Sequence, residues 1–293
     1  RLYGPDVHVL SAVEGATGEY PIFGTGKLEG GTHPKWLGPN PFGDQSMYRW
    51  TEQHVRTRHG ILGALYPHRI MGEMRQLRFL EGGGVTSWLW LVNKGLADPE
   101  QITWGGWGGR FSDQKTVVPT RFRFVRDQDA QRPPAMMYPE AADSWTDDEG
   151  VTHSHVYAPV WRWRQAVNND FQARMDWCVA ERDQANHHPV AAFHGDTHRT
   201  IVRVAAEAGE TIDLDASASS DPDGDELVFK WYVYPEAGTY AGAAEVRAAD
   251  RSRASIEIPR DASGTQLHII LEVADRNDLV SLTSYRRIVI DVA

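Results

Sequence analysis

At 293 residues, with 41% hydrophobic and 24% charged side chains, the chain lies in the globular range and is long enough for two domains. No apolar run approaches the roughly 20 residues that cross a bilayer, which sets aside a membrane-spanning helix. The formal charge of −10 is uneven: residues 1–186 hold 20 basic and 22 acidic side chains and residues 187–293 hold 10 and 18, so neither half has the basic surface of a nucleic-acid binder.

Ten of the 11 tryptophans precede residue 187 and Trp231 follows it. Charge and composition thus shift together, which predicts two domains, 1–186 and 187–293, with "ANHHPVAAFHGD" leading into the second. A chain that starts at Arg1 without a signal peptide reads as a processed, trimmed or partial product, from which any export signal would already be gone. Cys178 has no cysteine to pair with, which is compatible with the cytosol or with an exported bacterial protein.

In chain order, Met47, Trp50, Thr51 and Val55 of "SMYRWTEQHVRTRHG" (46–60) have helical spacing and run into a glycine stop. "GALYP" (63–67) is the clearest strand of the first segment, and "SWLWLVNKG" (87–95) is a short helix closed by Gly95. The strongest helix is "APVWRWRQAVNNDFQARMDWCVAERD" (158–183), with Trp163, Val167, Phe171, Met175 and Cys178 along one side. That stripe makes Cys178 a packed, inert thiol rather than a nucleophile. The long loops 21–45 and 112–157 are of the kind that carries function. Beyond residue 200, "TIVRVAA", "TIDLDA", "LVFKWYVY", "ASIEIP", "LHIILEV" and "RRIVIDV" alternate with period two between turn signals. Six or seven such strands predict an antiparallel β-sandwich, with Trp231 where an Ig-like fold buries one.

The sequence holds no Gly-rich phosphate loop, catalytic-serine elbow or Cys-rich zinc pattern. "HSH" (153–155) and "HH" (187–188) lack the spacing of a metal motif and read as surface or linker histidines. "DPDGD" sets Asp221, Asp223 and Asp225 at alternate positions, but the twelfth place of an EF-hand loop holds Tyr232. The stretch is an Asx-type turn between strands or a weak cation site. "LEGGGVTSW" places Glu81 before three glycines that open onto a helix start, where backbone N–H groups can meet a ligand.

"ITWGGWGGRF" (102–111) sets Trp104 and Trp107 among four glycines and ends on Arg110 and Phe111. Indole faces suit the C–H faces of sugars, and Arg offers a fixed fork of donors. Two readings follow: core filling, or a concave pocket facing Glu81 with Arg110 inward and one indole partly exposed.

"HGILGALYP", "TSWLWLVNKGL", "WGGWGGRF", "WRWRQAVNNDFQARMDWCV" and the module from "ANHHPVA" through "DASASSDPDGDELVFKWYVY" to "SLTSYRR" occur in one order. Together they resemble a bacterial cellulose-binding-protein-like family, catalogued also as a domain of unknown function, over roughly residues 46–293. The resemblance implies an α/β plus all-β fold: the C-terminal portion of a nucleoside-hydrolase-like, Rossmann-type domain, then an Ig-like β-sandwich. It also implies export to the periplasm or medium. Nucleoside hydrolases hold calcium with an upstream Asp cluster, D-x-D-x-x-D-D, which these 293 residues lack. Calcium is therefore expected only if such a cluster precedes Arg1; the missing N-terminal part was cleaved, belongs to another chain, which would then be a partner, or lies outside these 293 residues. The family's E-G-D-T-P-S is here Glu81-Gly82-Gly83-Gly84-Val85-Thr86-Ser87, without its Asp.

Two functions stand side by side. One is a glycoside-directed hydrolase acting on a pentose or related sugar, with Glu81 as the catalytic carboxylate. Trp104, Trp107 and Arg110 would shape its pocket, Asn93 and Asn169 would bond hydroxyls, and the ligand would be a carbohydrate or nucleoside-like small molecule. The other is a non-catalytic carbohydrate-binding protein, with Tyr232, Tyr234 and Tyr240 as a platform on the sandwich. A third reading makes the sandwich a docking module.

Overall fold

The computed structural model describes residues 50–66, 89, 91–114, 116–117, 136–138, 140–156 and 158–293. Two compact units make up the chain: Arg1–Val92 with Asp98–Gln165, and Asn93–Ala97 with Ala166–Ala293. No helix among the described residues is long and apolar enough to cross a membrane.

In the first unit, Trp50 and Thr51 lead into a π-helical turn, Glu52–Arg56, that buries Val55. Helix α1 (Gly60–Leu65) follows directly. Gly60 thus opens a second helix instead of stopping one that runs over 46–60. The same helix takes up residues 63–65 of "GALYP", which the sequence suggested as a strand. The cause is a close backbone approach at Gly63, where an added Cβ would lie 2.7 Å from the carbonyl oxygens of Val55 and Arg56. Glycine lets α1 fold back onto the preceding turn.

The stretch 112–157 is not all loop. Strand β1 (Thr116–Val117) pairs with β2 (Met136–Met137), and β3 (Asp143–Thr146) with β4 (Thr152–His155), both antiparallel. Asp147 closes the second hairpin by accepting the N–H groups of Glu149 and Val151 at 3.0 and 2.8 Å. Helix α2 (Ala158–Trp161) comes next, then α3 (Arg164–Asp176), whose residues from Ala166 onward belong to the second unit. Helix α3 ends before Cys178, and that thiol is exposed, with Sγ 3.1 Å from the Arg174 carbonyl oxygen. The packed-thiol expectation fails because the helical register it relied on stops at Asp176.

The second unit contains two sheets. Strands β5 (Val202–Ala206), β11 (Thr283–Val292), β10 (Gln266–Asp275) and β7 (Leu227–Val233) lie side by side in that order, with β5 and β11 parallel and the other pairs antiparallel. The second sheet is β6 (Thr211–Asp215), β9 (Arg253–Glu257) and β8 (Val246–Arg247). Leu214, Trp231, Ile256, Leu267, Ile269, Leu271, Ile288 and Ile290 from both sheets close into one core. The alternating residues of the sequence face inward, as period two requires.

The other face of the four-stranded sheet is also buried over part of its two central strands, β10 and β11. Tyr234, Tyr285, Arg287 and Val289 have at most 1% exposure, and His268 and Ile270 have none. Segment 93–97 runs against β11: Tyr285 N–H donates to Lys94 O at 3.0 Å and Arg287 Nε to Leu96 O at 2.6 Å. Tyr234 is therefore no part of an exposed platform. Its ring lies under the Arg287 guanidinium, 5.5 Å away.

Gly95 sits at φ +82°, and a Cβ there would be 2.2 Å from Tyr285 O. Gly95→Ala should destabilise the second unit by roughly 2 kcal/mol or more, read as a lower urea midpoint with an unchanged m-value. An unchanged midpoint would mean that this segment does not rest on β11.

Candidate functional site

The Trp/Gly loop is a tight reversal. A 3-10 turn over Ile102–Trp104 is followed by a bridge in which Gly106 and Gly109 exchange N–H···O bonds of 3.1 and 2.9 Å. Gly105 and Gly109 have φ of +73° and +97°, which favours glycine at both. A Cβ on Gly109 would also touch Val160 at 3.4 Å. Both indoles are buried: Trp104 and Trp107 are 6% and 3% exposed, and Phe111 is buried as well. The expectation that one indole is partly exposed is corrected accordingly. Here glycine serves chain reversal and close packing.

Arg110 leaves this loop toward Asp143. Its Nε lies 2.6 Å from Asp143 Oδ1, and Nη2 donates to the Ala142 carbonyl. Arg162 Nη2 approaches the second carboxylate oxygen at 3.9 Å, and the Asp143 side chain is fully buried. Asp143, missed in the sequence, thus pairs with Arg110 and lies within reach of Arg162. Arg110 is a structural ion-pair partner before it is a ligand donor.

Next to it, the "HSH" histidines form ring contacts rather than isolated surface groups. Trp145 stacks on His153 at 5.5 Å and His155 on Trp161 at 5.4 Å between centroids. His153 Nε2 lies 2.8 Å from Asp147 Oδ2. That hydrogen bond, with the Val151 N–H, holds the Asp147 carboxyl below the usual range. Trp145, His153 and His155 are half-buried, so part of each ring meets solvent.

In the second unit, Asn169 donates Nδ2 to Ser281 O at 2.8 Å, and Asn93 Oδ1 lies 3.4 Å from Gly95 N. Both amides are thus engaged locally. Glu81 lies outside the described residues. Asp221, Asp223 and Asp225 each place a carboxylate oxygen within 4.8 Å of the others. Asp221 Oδ1 accepts the N–H groups of Asp223 and Asp225, which is the Asx turn.

The "HH" pair splits between two partners. His187 Nδ1 lies 2.9 Å from Asp223 Oδ1. His188 joins a buried charge cluster in which its Nε2 is 2.7 Å from Asp170 Oδ1 and beside Lys94 Nζ. Lys94 Nζ lies 2.8 Å and Arg174 Nε 2.7 Å from the two Asp170 oxygens. Burial alone would raise the Asp170 pKa, but the His188 hydrogen bond, the Lys94 charge and the Arg174 contact outweigh it and hold the carboxyl well below its usual range. Burial also lowers the proton affinity of Lys94 and of His188, against the pull of Asp170. Nothing local in the sequence marks this cluster, because its members come from three separate segments.

Comparisons with known proteins bear on both units. Residues 28–111 match the family described as cellulose-binding Sde182, nucleoside hydrolase-like domain, and residues 211–292 match cellulose-binding protein Sde0182, C-terminal domain. A solved structure of a nucleoside hydrolase-related hypothetical protein from Saccharophagus degradans, described as associated with carbohydrate metabolism, is 35% identical, with a TM-score of 0.68 over 85% of this chain. The chain spans 55% of that protein's length. A chimeric titin Z1Z2 structure aligns at 18% identity over 37% of this chain and 99% of its own, with a TM-score of 0.21, and carries no weight. No curated protein sequence matches.

Two outcomes follow from the charged clusters. Arg110→Ala leaves the Asp143 carboxylate buried with a distant Arg162, and should cost roughly 3–5 kcal/mol. A melting temperature within a degree of wild type would show that the pair is dispensable. The second outcome concerns acid. His188 is held below 6.5, and His268 is pushed down to about 2 by burial and then by the Arg287 charge. The unfolded chain therefore takes up protons first, so their contribution is complete above about pH 6.5 and falls below it, by roughly 1 kcal/mol per pH unit for His268. Asp170 acts in the same direction at lower pH, since its depressed pKa contributes above about pH 4 and is lost beneath. Urea midpoints should drop from about pH 7 to about pH 5, and His188→Gln should flatten part of the slope. A level wild-type profile would contradict neutral, buried histidines.

Proposed function

We propose that this chain, which belongs to the cellulose-binding Sde182 family with its nucleoside-hydrolase-like and C-terminal domains, is a carbohydrate-binding protein whose contact surface is on the first unit. The observation that carries the reading is the pair of family matches, one on each part of the chain, joined by 35% identity to a carbohydrate-associated relative. The described acids support binding over catalysis. Glycosidic cleavage needs a carboxylate free to act at the anomeric carbon, whereas Asp143 beside the Trp/Gly loop is tied to Arg110 and Arg162.

In this reading the sugar meets the half-buried rings of Trp145, His153 and His155. Aromatic faces with adjacent polar groups are the usual means of holding a sugar ring. The first unit is read as part of a Rossmann-type, nucleoside-hydrolase-like domain and the second as an Ig-like sandwich, in an exported protein.

Hydrolysis of a glycosidic bond is the second reading and rests on Glu81, with a nucleoside-like or pentose ligand and with Trp104 and Trp107 as buried support for the pocket wall. Retention on microcrystalline cellulose and calorimetry with cello-oligosaccharides test the first. Trp145→Ala should weaken retention several-fold with little change in melting temperature, and full retention would remove this surface from the proposal. Turnover of aryl glycosides or nucleosides by wild type, abolished in Glu81→Gln, would establish the second reading in its place.

A further inference from the structure

The beginning of the second unit's β module and two of its loops meet in a group with an excess of oxygen acceptors. Asp221 Oδ1 is occupied by the N–H groups of Asp223 and Asp225 at 2.8 and 3.2 Å. Asp223 is held by the His187 N–H at 2.6 Å and by its ring. Asp225 Oδ2 accepts from Asn277 Nδ2 at 2.7 Å. Asn186, next to His187, gives its Nδ2 to Asp275 Oδ2 at 2.9 Å and Val280 O at 2.7 Å, and Asp275 Oδ1 takes the Leu282 N–H.

Two oxygens of this assembly remain buried and meet no donor: Asn186 Oδ1 and Asp221 Oδ2. Asn186 is 3% exposed, so solvent does not serve it. Asn186 belongs to this neighbourhood on two counts: the adjacent His187 N–H donates to Asp223, and its own Nδ2 donates to Asp275, whose carboxyl feels the charges of Asp221 and Asp225. A buried acceptor without a partner bears its full desolvation penalty, and native structures leave few such groups. The amide donors of Asn186 and Asn277 are already engaged, so no rotation within the group supplies the missing partner. What it lacks is positive charge.

Carboxylate and amide oxygens at alternate loop positions are hard ligands, suited to Ca2+ rather than to metals that seek thiolate or imidazole. We propose that Asn186 Oδ1, Asp221 Oδ2 and the carboxylates of Asp223 and Asp225 bind one calcium ion, with waters completing its shell. Asp275 is a positioning residue that fixes the Asn186 amide. The ion pins the entry segment at 186–187 to the loop at 221–225, and so couples the start of the β module to its body. The site is independent of carbohydrate binding and stands or falls separately from it.

The test is calorimetric titration of the full chain, stripped with EDTA, with CaCl2, alongside melting curves in CaCl2, MgCl2 and EDTA. One equivalent of Ca2+ should bind with a Kd of about 10⁻⁴ to 10⁻³ M, the range of extracellular calcium modules, and raise the melting temperature by several degrees where Mg2+ does little. Asp221→Asn and Asn186→Ala should each lower affinity at least about tenfold, a loss of about 1.4 kcal/mol. Asp250→Asn, an exposed control of the same charge change, should not. Asp221→Asn melting like wild type in EDTA but gaining nothing from CaCl2 would separate loss of the site from loss of the fold. No saturable binding by wild type, or binding by both ligand variants as tight as wild type, overturns the site.

Discussion

The second unit depends on charge buried beneath a short segment that is remote from it in sequence. Arg287 stands in the middle of the four-stranded sheet with no exposed surface. A guanidinium in that position is tolerable only if its donors and its face are met. Leu96 O accepts from Nε, His268 Nδ1 lies 2.9 Å from Nη1, and Tyr234 covers the ring plane. His268 Nε2 in turn faces Gln266 Oε1 at 2.9 Å. The imidazole is therefore neutral, accepting at Nδ1 and donating at Nε2, which is the form that its strongly lowered proton affinity also favours. Remove 93–97, and a buried cation loses a partner that water does not replace.

The same segment is fixed at its other end by Lys94 on Asp170, and Asp170 carries Arg174 and His188 as well. One carboxylate thus ties together residue 94, helix α3 and the chain entering the sandwich strands. Gly95 between the two anchors permits the close approach, since only a residue without Cβ fits 2.2 Å from the Tyr285 carbonyl. The arrangement explains why five residues so distant in sequence belong to the second compact unit.

Six strands of this unit were legible because alternation is a local signal, and the inward residues of β7, β9, β10 and β11 are those that period two selects. Alternation states which residues share a face, however, and is silent about what covers that face. Tyr232 and Tyr234 therefore looked solvent-facing, while the cover over Arg287 comes from 191 residues away. The same limit applies to sites. Asp221, Asp223 and Asp225 are adjacent in sequence and were visible; Asn186 and Asp275, which complete their surroundings, were not. In the Trp/Gly loop the glycines were visible, but glycine serves a reversal as well as a ligand, and the choice between them depended on Val160 and Asp143, neither of which is nearby in sequence.

The division between binding and hydrolysis comes down to the state of the carboxyl groups. A general acid at neutral pH needs burial without a cationic partner, because a nearby cation lowers the pKa that burial would raise. The described carboxyls beside aromatic or cationic groups follow the second pattern: Asp147 is held low by His153 and backbone N–H groups, and Asp170 by His188, Lys94 and Arg174. Asp275 is shifted upward by burial and by the charges of Asp221 and Asp225, but both its oxygens are spent on Asn186 and Leu282. These acids hold the chain together. Binding asks for no free carboxyl, only for accessible rings and polar groups of the kind that half-buried Trp145 and its neighbours present.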